Sequence, residues 1–294
     1  MVAHEGSLSR ASEKLHISAP ALSVQIQKLE EQLGHPLFDR KGRQLVLNEA
    51  GRVALDYADT IFAAGSDLMG TFQGLDGKAR QRITIGAMAT LSRNFQLKFL
   101  TPILERDDIE IAVRSDGLTT LLSELEALRI DVVLVNTPPT ISHDVPWLTH
   151  LIDDQPVSIV GSPERVRRDA DVRELLSTQP LILPSTASSV RNNFDAWLER
   201  EGIEPNVVAE VDDMAMIRLL TRRNWGVAVV PPIVVRDELK SGRLVEVENF
   251  DVLHEHFYAI TLKRRFENPL VKLLLDAHHQ KSQEASAPIT PRAS

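Results

Sequence analysis

The run Asp131-Val132-Val133-Leu134-Val135 restricts this chain more than any other stretch. Four apolar residues follow one another with no polar alternation, so a strand built from them is buried on both faces. That condition is met in a parallel sheet sandwiched between helices. The surrounding pattern agrees. From Arg82 onward, strand-like and helix-like segments alternate: Ile83–Gly86, a helix over 92–105, Ile109–Val113, a helix over 119–128, then the Asp131–Val135 strand. A second set follows, with strands at 157–160, 181–183, 207–211 and 226–230 and helices at 188–201 and 213–223. The run 254–262 and a helix from Asn268 close it. The expected architecture is an α/β body of two lobes with a cleft between them, the second lobe inserted into the first.

The front of the chain obeys another period. Gly6-Ser7 offers a helix start, with Leu8, Ala11 and Leu15 at helical spacing. After His16-Ile17, Ser18 caps a second helix, and Pro20 falls in its first turn, where a missing N–H costs little. Leu22, Ile26, Leu29 and Leu33 form one apolar stripe expected to face a core, and Gly34 with Pro36 ends the helix. Residues 37–47 read as a small hairpin with a Lys-Gly-Arg tip. Two short capped helices, a tight break and a basic hairpin describe a winged helix-turn-helix, whose second helix enters the DNA major groove by its N-terminal end. An amphipathic helix docked on another protein is the competing reading of the second helix alone. Ala19, Pro20, Ser23, Val24 and Gln27 face outward with almost no charge. Groove entry needs small side chains and a few amide or hydroxyl groups, while phosphate contacts come from Arg40, Lys41 and Arg43 on the wing.

Charge places that role locally. The chain of 294 residues carries a net charge of −8, which argues against general nucleic-acid affinity. Residues 1–52 hold seven Lys/Arg against six Asp/Glu, leaving −9 for the rest. Zero cysteines exclude disulfides, thiol catalysis and Cys-ligated zinc and suit a cytoplasmic protein. The sequence shows neither an apolar membrane span nor a signal peptide.

Asn48 caps a long helix running to about Gln73. Ala54, Ala58, Ile61, Gly65, Leu68, Phe72 and Leu75 step by 4, 3, 4, 3, 4, 3, a heptad seam suited to pairing with a second copy. The same spacing also fits a helix packed on its own domain. Gly70–Gln81 reads as a linker.

The run GSLSRASEKLHISAPALSVQIQKLEEQLGHPLFDRKGRQLVLNEAG resembles the DNA-binding domain of LysR-type transcriptional regulators. The spacing S-x-P-A-L-S-x-Q-I-x-x-L-E-x-x-L-G-x-x-L-F-x-R, followed by a wing and an E-A-G turn, carries the resemblance. The resemblance extends over the whole chain. It implies a winged helix-turn-helix over 1–48, a dimerisation helix over 49–77, and an effector domain over 78–280 with a periplasmic-binding-protein-like, two-lobed fold. Lobe I spans about 82–155 and 255–280, lobe II about 156–254, and 281–294 is expected to be a disordered tail. The wing, the stretch YADTIF and the block VDDMAMIRLLTRRNWGVAVVPP resemble the branch that activates sodium/proton antiporter genes.

By that resemblance Ser18, Ala19, Pro20, Ser23 and Gln25 lie at or near DNA, with Arg40, Lys41 and Arg43 on the wing. Ala19 and Val24 stand where the family usually has polar or basic residues, which limits them to van der Waals readout. Family members also begin with a further helix before the Val2-Ala3-His4-Glu5-Gly6-Ser7 segment, so the domain is expected to lack it. Ala54, Ala58, Ile61, Leu68 and Phe72 would form the dimer seam. A small-molecule or ion effector would sit near Ala87, Met88, Ala89, Thr90, Asn136, Ser185, Asp213 and Pro231 at strand ends. Each of these also reads as a turn or cap residue. For a hard cation, Asp212 or Asp213 would supply oxygen.

No catalytic constellation emerges, and no cofactor or metal is expected. His254-Glu255-His256 sets two imidazoles on one strand face, and His278-His279 could add to them, but a solvated face explains them better. Asp153-Asp154 near His150 lacks a nucleophile motif. The expected partners are promoter DNA, an effector, further copies of the chain as dimer or tetramer, and RNA polymerase for an activator, with no membrane. The alternative is a solute-binding-protein-like sensor without productive DNA binding, because its first helix is absent.

Overall fold

The computed structural model describes residues 1–41, 44–75, 81–139, 146–167, 169–186, 188–263 and 267–285. The chain divides into two compact units, Met1–Leu75 with Ala127–Arg129, and the remainder.

The first unit opens with α1 (Val2–Glu5), α2 (Leu8–Leu15) and α3 (Ala19–Leu33). Ser18 caps α3, its Oγ accepting the Ala21 N–H at 3.3 Å, and Pro20 sits in the first turn as its geometry allows. His16 in the left-handed region ends α2, and Gly34 does the same for α3. The core here is small: Val2, Ala11 and Leu22 are buried, flanked by Leu8, Ile26, Phe38 and Leu45. The apolar stripe of α3 is therefore only half used. Leu29 and Leu33, expected in the core, are 45% and 49% exposed. An eight-residue α2 is about 12 Å long and covers only the first turns of the 15-residue α3.

Strands β1 (Phe38–Lys41) and β2 (Gln44–Leu47) pair antiparallel, with Phe38 opposite Leu47 and Lys41 opposite Gln44. Helix α4 (Glu49–Leu75) begins directly after. Asn48 fastens the junction: its Oδ1 accepts the Gly51 N–H at 2.8 Å, and its Nδ2 donates to the Pro36 carbonyl at 2.9 Å. Gly51 is required there. A Cβ on it would fall 2.0 Å from the Leu37 carbonyl oxygen and 2.8 Å from Leu47 Cδ2.

The second unit is one eight-stranded mixed sheet in the order β4-β3-β5-β10-β6-β9-β7-β8. Its first lobe holds β3 (Gln81–Met88), β4 (Ile109–Asp116) and β5 (Val132–Val135), with α5 (Arg93–Leu104) and α6 (Leu118–Glu126). The second holds α7 (Val172–Thr178), β7 (Pro180–Pro184), α8 (Ser189–Glu201), β8 (Asn206–Val211), α9 (Met214–Arg222), β9 (Val227–Val230) and α10 (Arg236–Lys240). Two long strands run through both lobes, β6 (Trp147–Gly161) and β10 (Val245–Leu262), and α11 (Pro269–Ala285) returns to the first lobe. Helix α11 continues five residues past the boundary expected at 280, and 286–294 lie outside the described residues.

Strand β5 is buried on both faces as its composition demands. One side pairs parallel with β3, but the other pairs antiparallel with β10, so the sheet is mixed rather than wholly parallel. The chain returns from the second lobe along β10, and this fixes the reversed direction. Each lobe is covered on both faces. Phe95, Phe99 and Ile103 of α5 pack with Leu270 and Leu274 of α11 on Ile83, Ile85 and Phe257, while Leu121, Leu122 and Leu125 of α6 cover Val133, Val135 and Ile260. In the second lobe Phe194 and Leu198 of α8 lie on Val157, Ile159, Leu181 and Val227, and Met214 and Ile217 of α9 lie on Val160, Ile182 and Ala228. The β6–β10 ladder breaks register between Phe250/Val157 and His254/Pro156, which marks the passage from one lobe to the other.

Candidate DNA-binding face and effector cleft

The face expected to meet DNA is built by the first turns of α3. Ser18, Pro20, Val24, Gln25 and Gln27 are exposed, and Ala19 and Ser23 are half-buried. Ser18 spends one oxygen lone pair on its cap and keeps a hydroxyl donor. The wing starts from a fixed point, because the Leu37 N–H donates to Glu30 Oε1 of α3 at 2.7 Å. Arg40 and Lys41 stand opposite Leu45 and Gln44 in the hairpin register, whereas Arg43 lies outside the described residues.

Along α4, Ala54 and Ala58 are half-buried and Ile61 and Leu68 are exposed. Phe72 belongs to the helix, its side chain outside the described set. Sequence reasoning chose the small-residue stripe and missed its large neighbours. Val53, Tyr57, Phe62 and Met69 are all exposed, Tyr57 by 71% and Phe62 by 76%. Their signal was present as apolar residues one position beside the heptad, which makes the exposed band wider than one seam.

In the second unit a cleft of about 510 Å³ opens between the lobes, within the range of small-molecule sites. Asn136, Thr137 and Pro138 line it from the end of β5, Asp154 from β6, His254, His256 and Tyr258 from β10, and Ser189 and Asn193 from α8. Of the expected effector residues, only Asn136 belongs to this lining. Asp213 is the N-cap of α9, its Oδ1 accepting the Ala215 N–H at 2.8 Å, and it is exposed like Asp212. Pro231 is buried and leads into the 3₁₀ turn Pro232–Val235. Ala87 is buried, Met88 half-buried and Ala89 exposed at the end of β3. Thr90 and Ser185 differ from these, because each encloses a hydroxyl oxygen that makes no hydrogen bond among the described residues, as does Ser188 before α8. Enclosed hydroxyls without partners are uncommon and suit strand ends that face a ligand.

Three of the eight lining residues that sequence reasoning did not assign form the His-x-His-x-Tyr alternation of β10. Period two puts His254, His256 and Tyr258 on one face, and the ladder sets Asp154 directly opposite His256. Asp154 Oδ1 lies 2.6 Å from His254 Nδ1 and 3.7 Å from His256 Nε2. His278 does not join them: it is buried against Phe99, with Nε2 3.1 Å from the Phe99 carbonyl oxygen. Among the described residues no group of three or more His, Cys, Asp or Glu is placed to hold a metal ion. The intervening Glu255 points to the opposite face, 1% exposed, where Asn136 Nδ2 donates to its Oε1 at 2.9 Å. Burial pushes that carboxyl up to about 7, and the Asn136 hydrogen bond opposes the shift.

The family model of the bacterial regulatory helix-turn-helix protein, lysR family, matches residues 1–52, and that of the LysR substrate binding domain matches 76–283. The chain belongs to the LysR family. It is a LysR-type transcriptional regulator with a DNA-binding helix-turn-helix and an effector-binding domain. The match over 1–52 favours this over a sensor without productive DNA binding. Among relatives of this LysR-family chain, the RuBisCO operon transcriptional regulator of Allochromatium vinosum is 27% identical, over 85% of this chain and 83% of its own. The transcriptional activator protein NhaR of Escherichia coli is 22% identical, over 94% and 91%. Full-length CbnR, solved in complex with its target DNA, shares the fold at a TM-score of 0.66 with 18% identity, over 95% and 96%. Among the described residues no helix is long and apolar enough to cross a membrane.

Proposed function

We propose that this regulator reads promoter DNA with the first turns of α3, places Arg40, Lys41 and Arg43 of the wing on phosphates, and pairs through α4 into a homodimer or a higher homo-oligomer. A small molecule or ion held between the lobes changes the arrangement of subunits and thereby the spacing of the two recognition helices. The observation that carries this reading is the exposed, nearly uncharged start of a capped α3 inside a helix-turn-helix of the LysR family. Activation of sodium/proton antiporter genes, with a contact to RNA polymerase, is the finer reading, supported by the similarity to NhaR.

The test is fluorescence anisotropy of the full chain on DNA from upstream of its own gene and of a neighbouring antiporter gene. Lys41→Ala is expected to weaken binding on every sequence and to lower the salt slope by about 1, whereas Gln25→Ala changes which sequence is preferred. An unchanged slope in the first and unchanged preference in the second would refute the assignment of wing and reader.

A further inference from the structure

The interlobe cleft has a charge pattern that says what it takes. None of its nine lining residues is Lys or Arg, and one of them, Asp154, carries a carboxylate. His254 and His256 flank Asp154 on the cleft face, and Tyr258 continues their line with its ring stacked on His256 at 6.2 Å. Below Asn136 lies a second carboxyl, Glu255. Because one amide N–H of Asn136 is given to Glu255, the amide is held in one orientation and keeps its carbonyl oxygen, with the second N–H, for a ligand. Thr137, Ser189, Asn193, Tyr258 and the two imidazoles can each donate or accept, so the carboxylate of Asp154 is the group that selects a ligand by charge.

Resting on the reading that this cleft is the effector site, we infer that it takes a small organic cation, an amine or guanidine, held by Asp154 and the Asn136 carbonyl oxygen, with Glu255 as the positioning residue that orients Asn136. The start of α8, which brings Ser189 and Asn193 to the cleft, carries partial positive charge, so the ligand's nitrogen lies against β6 and β10. The groups around Glu255 leave it free to act. On its sheet face β6 presents Gln155 and Asp153, and Asp153 is already paired with Lys98 of α5 at 2.7 Å and accepts from Gln155 at 2.7 Å. The 3₁₀ turn that meets β6 and α5 has no ionisable residue.

Cation affinity then falls with pH. As pH drops through neutrality Glu255 gains a proton, and its new O–H lets Asn136 turn over and present an N–H where its carbonyl oxygen stood.

The experiment is calorimetric titration of the full chain with n-butylammonium, agmatine, butyrate and butan-1-ol at about pH 8 and about pH 6, on either side of the Glu255 carboxyl. The two cations are expected to bind about tenfold or more tightly than butyrate at the higher pH and to weaken at the lower. Asp154→Asn removes the preference with an unchanged melting temperature, since that side chain is half-exposed. Glu255→Gln keeps binding but flattens the pH dependence. Butyrate binding as well as the cations, an unbound panel, or cation affinity that rises at low pH overturns the inference, and an unaltered pH profile in Glu255→Gln overturns the positioning role. Binding of the same preparation to upstream DNA, measured without any probe, reports separately on the regulator reading.

Discussion

Gly51→Ala is the sharpest perturbation of the DNA-binding unit. The new Cβ would stand 2.0 Å from the Leu37 carbonyl oxygen, and real Cβ contacts essentially never fall below 3.0 Å, so wing and α4 must separate by at least 1.0 Å. The obstructing atom is backbone, and side-chain rotation cannot relieve it. Overpacking of this kind costs about 1–3 kcal/mol, here the upper end. The unit has about 4 kcal/mol to lose, taking roughly 0.05 kcal/mol per residue over the segment ending at Leu75, and its buried apolar side chains among the described residues are Val2, Ala11, Leu22 and Leu37. Removing about 3 kcal/mol takes the folded-to-unfolded ratio from about 1,000 to about 5. Hydrogen exchange followed by mass spectrometry would then show protection of α2, α3 and the wing falling on the order of 100-fold, with peptides of the effector domain unchanged. If Gly51→Ala exchanges like the parent, the close approach of Leu37 to α4 is not a feature of the folded protein.

Glu255→Gln should stabilise the effector domain at neutral and alkaline pH. The carboxyl is raised from 4.5 to about 7 in the folded state, so the fold binds a proton that the unfolded chain has released, and stability is lost as pH rises from 4.5 to 7. The full loss is about 3 kcal/mol, and thermal melts from about pH 4 to about pH 8 should show the variant's advantage growing through that window; parallel curves would place Glu255 in contact with water. Ile61→Asp puts a charge into the exposed band of α4, and light scattering should show the oligomer dissociating; an unchanged mass would assign pairing to another surface.

Much of this was legible because it depends on neighbours in sequence. Ser18 as a cap, Pro20 in the first turn, Gly34 as a stop and the buried Val132–Val135 strand follow from local chemistry, and each lies where its residues require. The domain order followed from the change of period near residue 82. Less legible were features set by what lies across space. Leu29 and Leu33 carry a core-like pattern, yet a short α2 leaves them exposed. Strands β6 and β10 extend beyond their apolar portions, because each pairs with the other through polar stretches such as Asp153–Pro156 and His254–His256. His254 and His256 looked like a solvated strand face, and only the register opposite Asp154 turns that face into the wall of a cleft.

The sequence by itself determined most of the elements, their order and the family, since caps, periods and motif spacing act within a few turns of the chain, while the short helices α1, α7 and α10 went unassigned. The tertiary structure decided which ends of those elements meet. Asn136 and Glu255 stand 119 residues apart, and Asp154 and His254 stand 100 apart. No local rule brings such pairs together. Two long antiparallel strands passing through both lobes do, because their ladder fixes which side chains share a face.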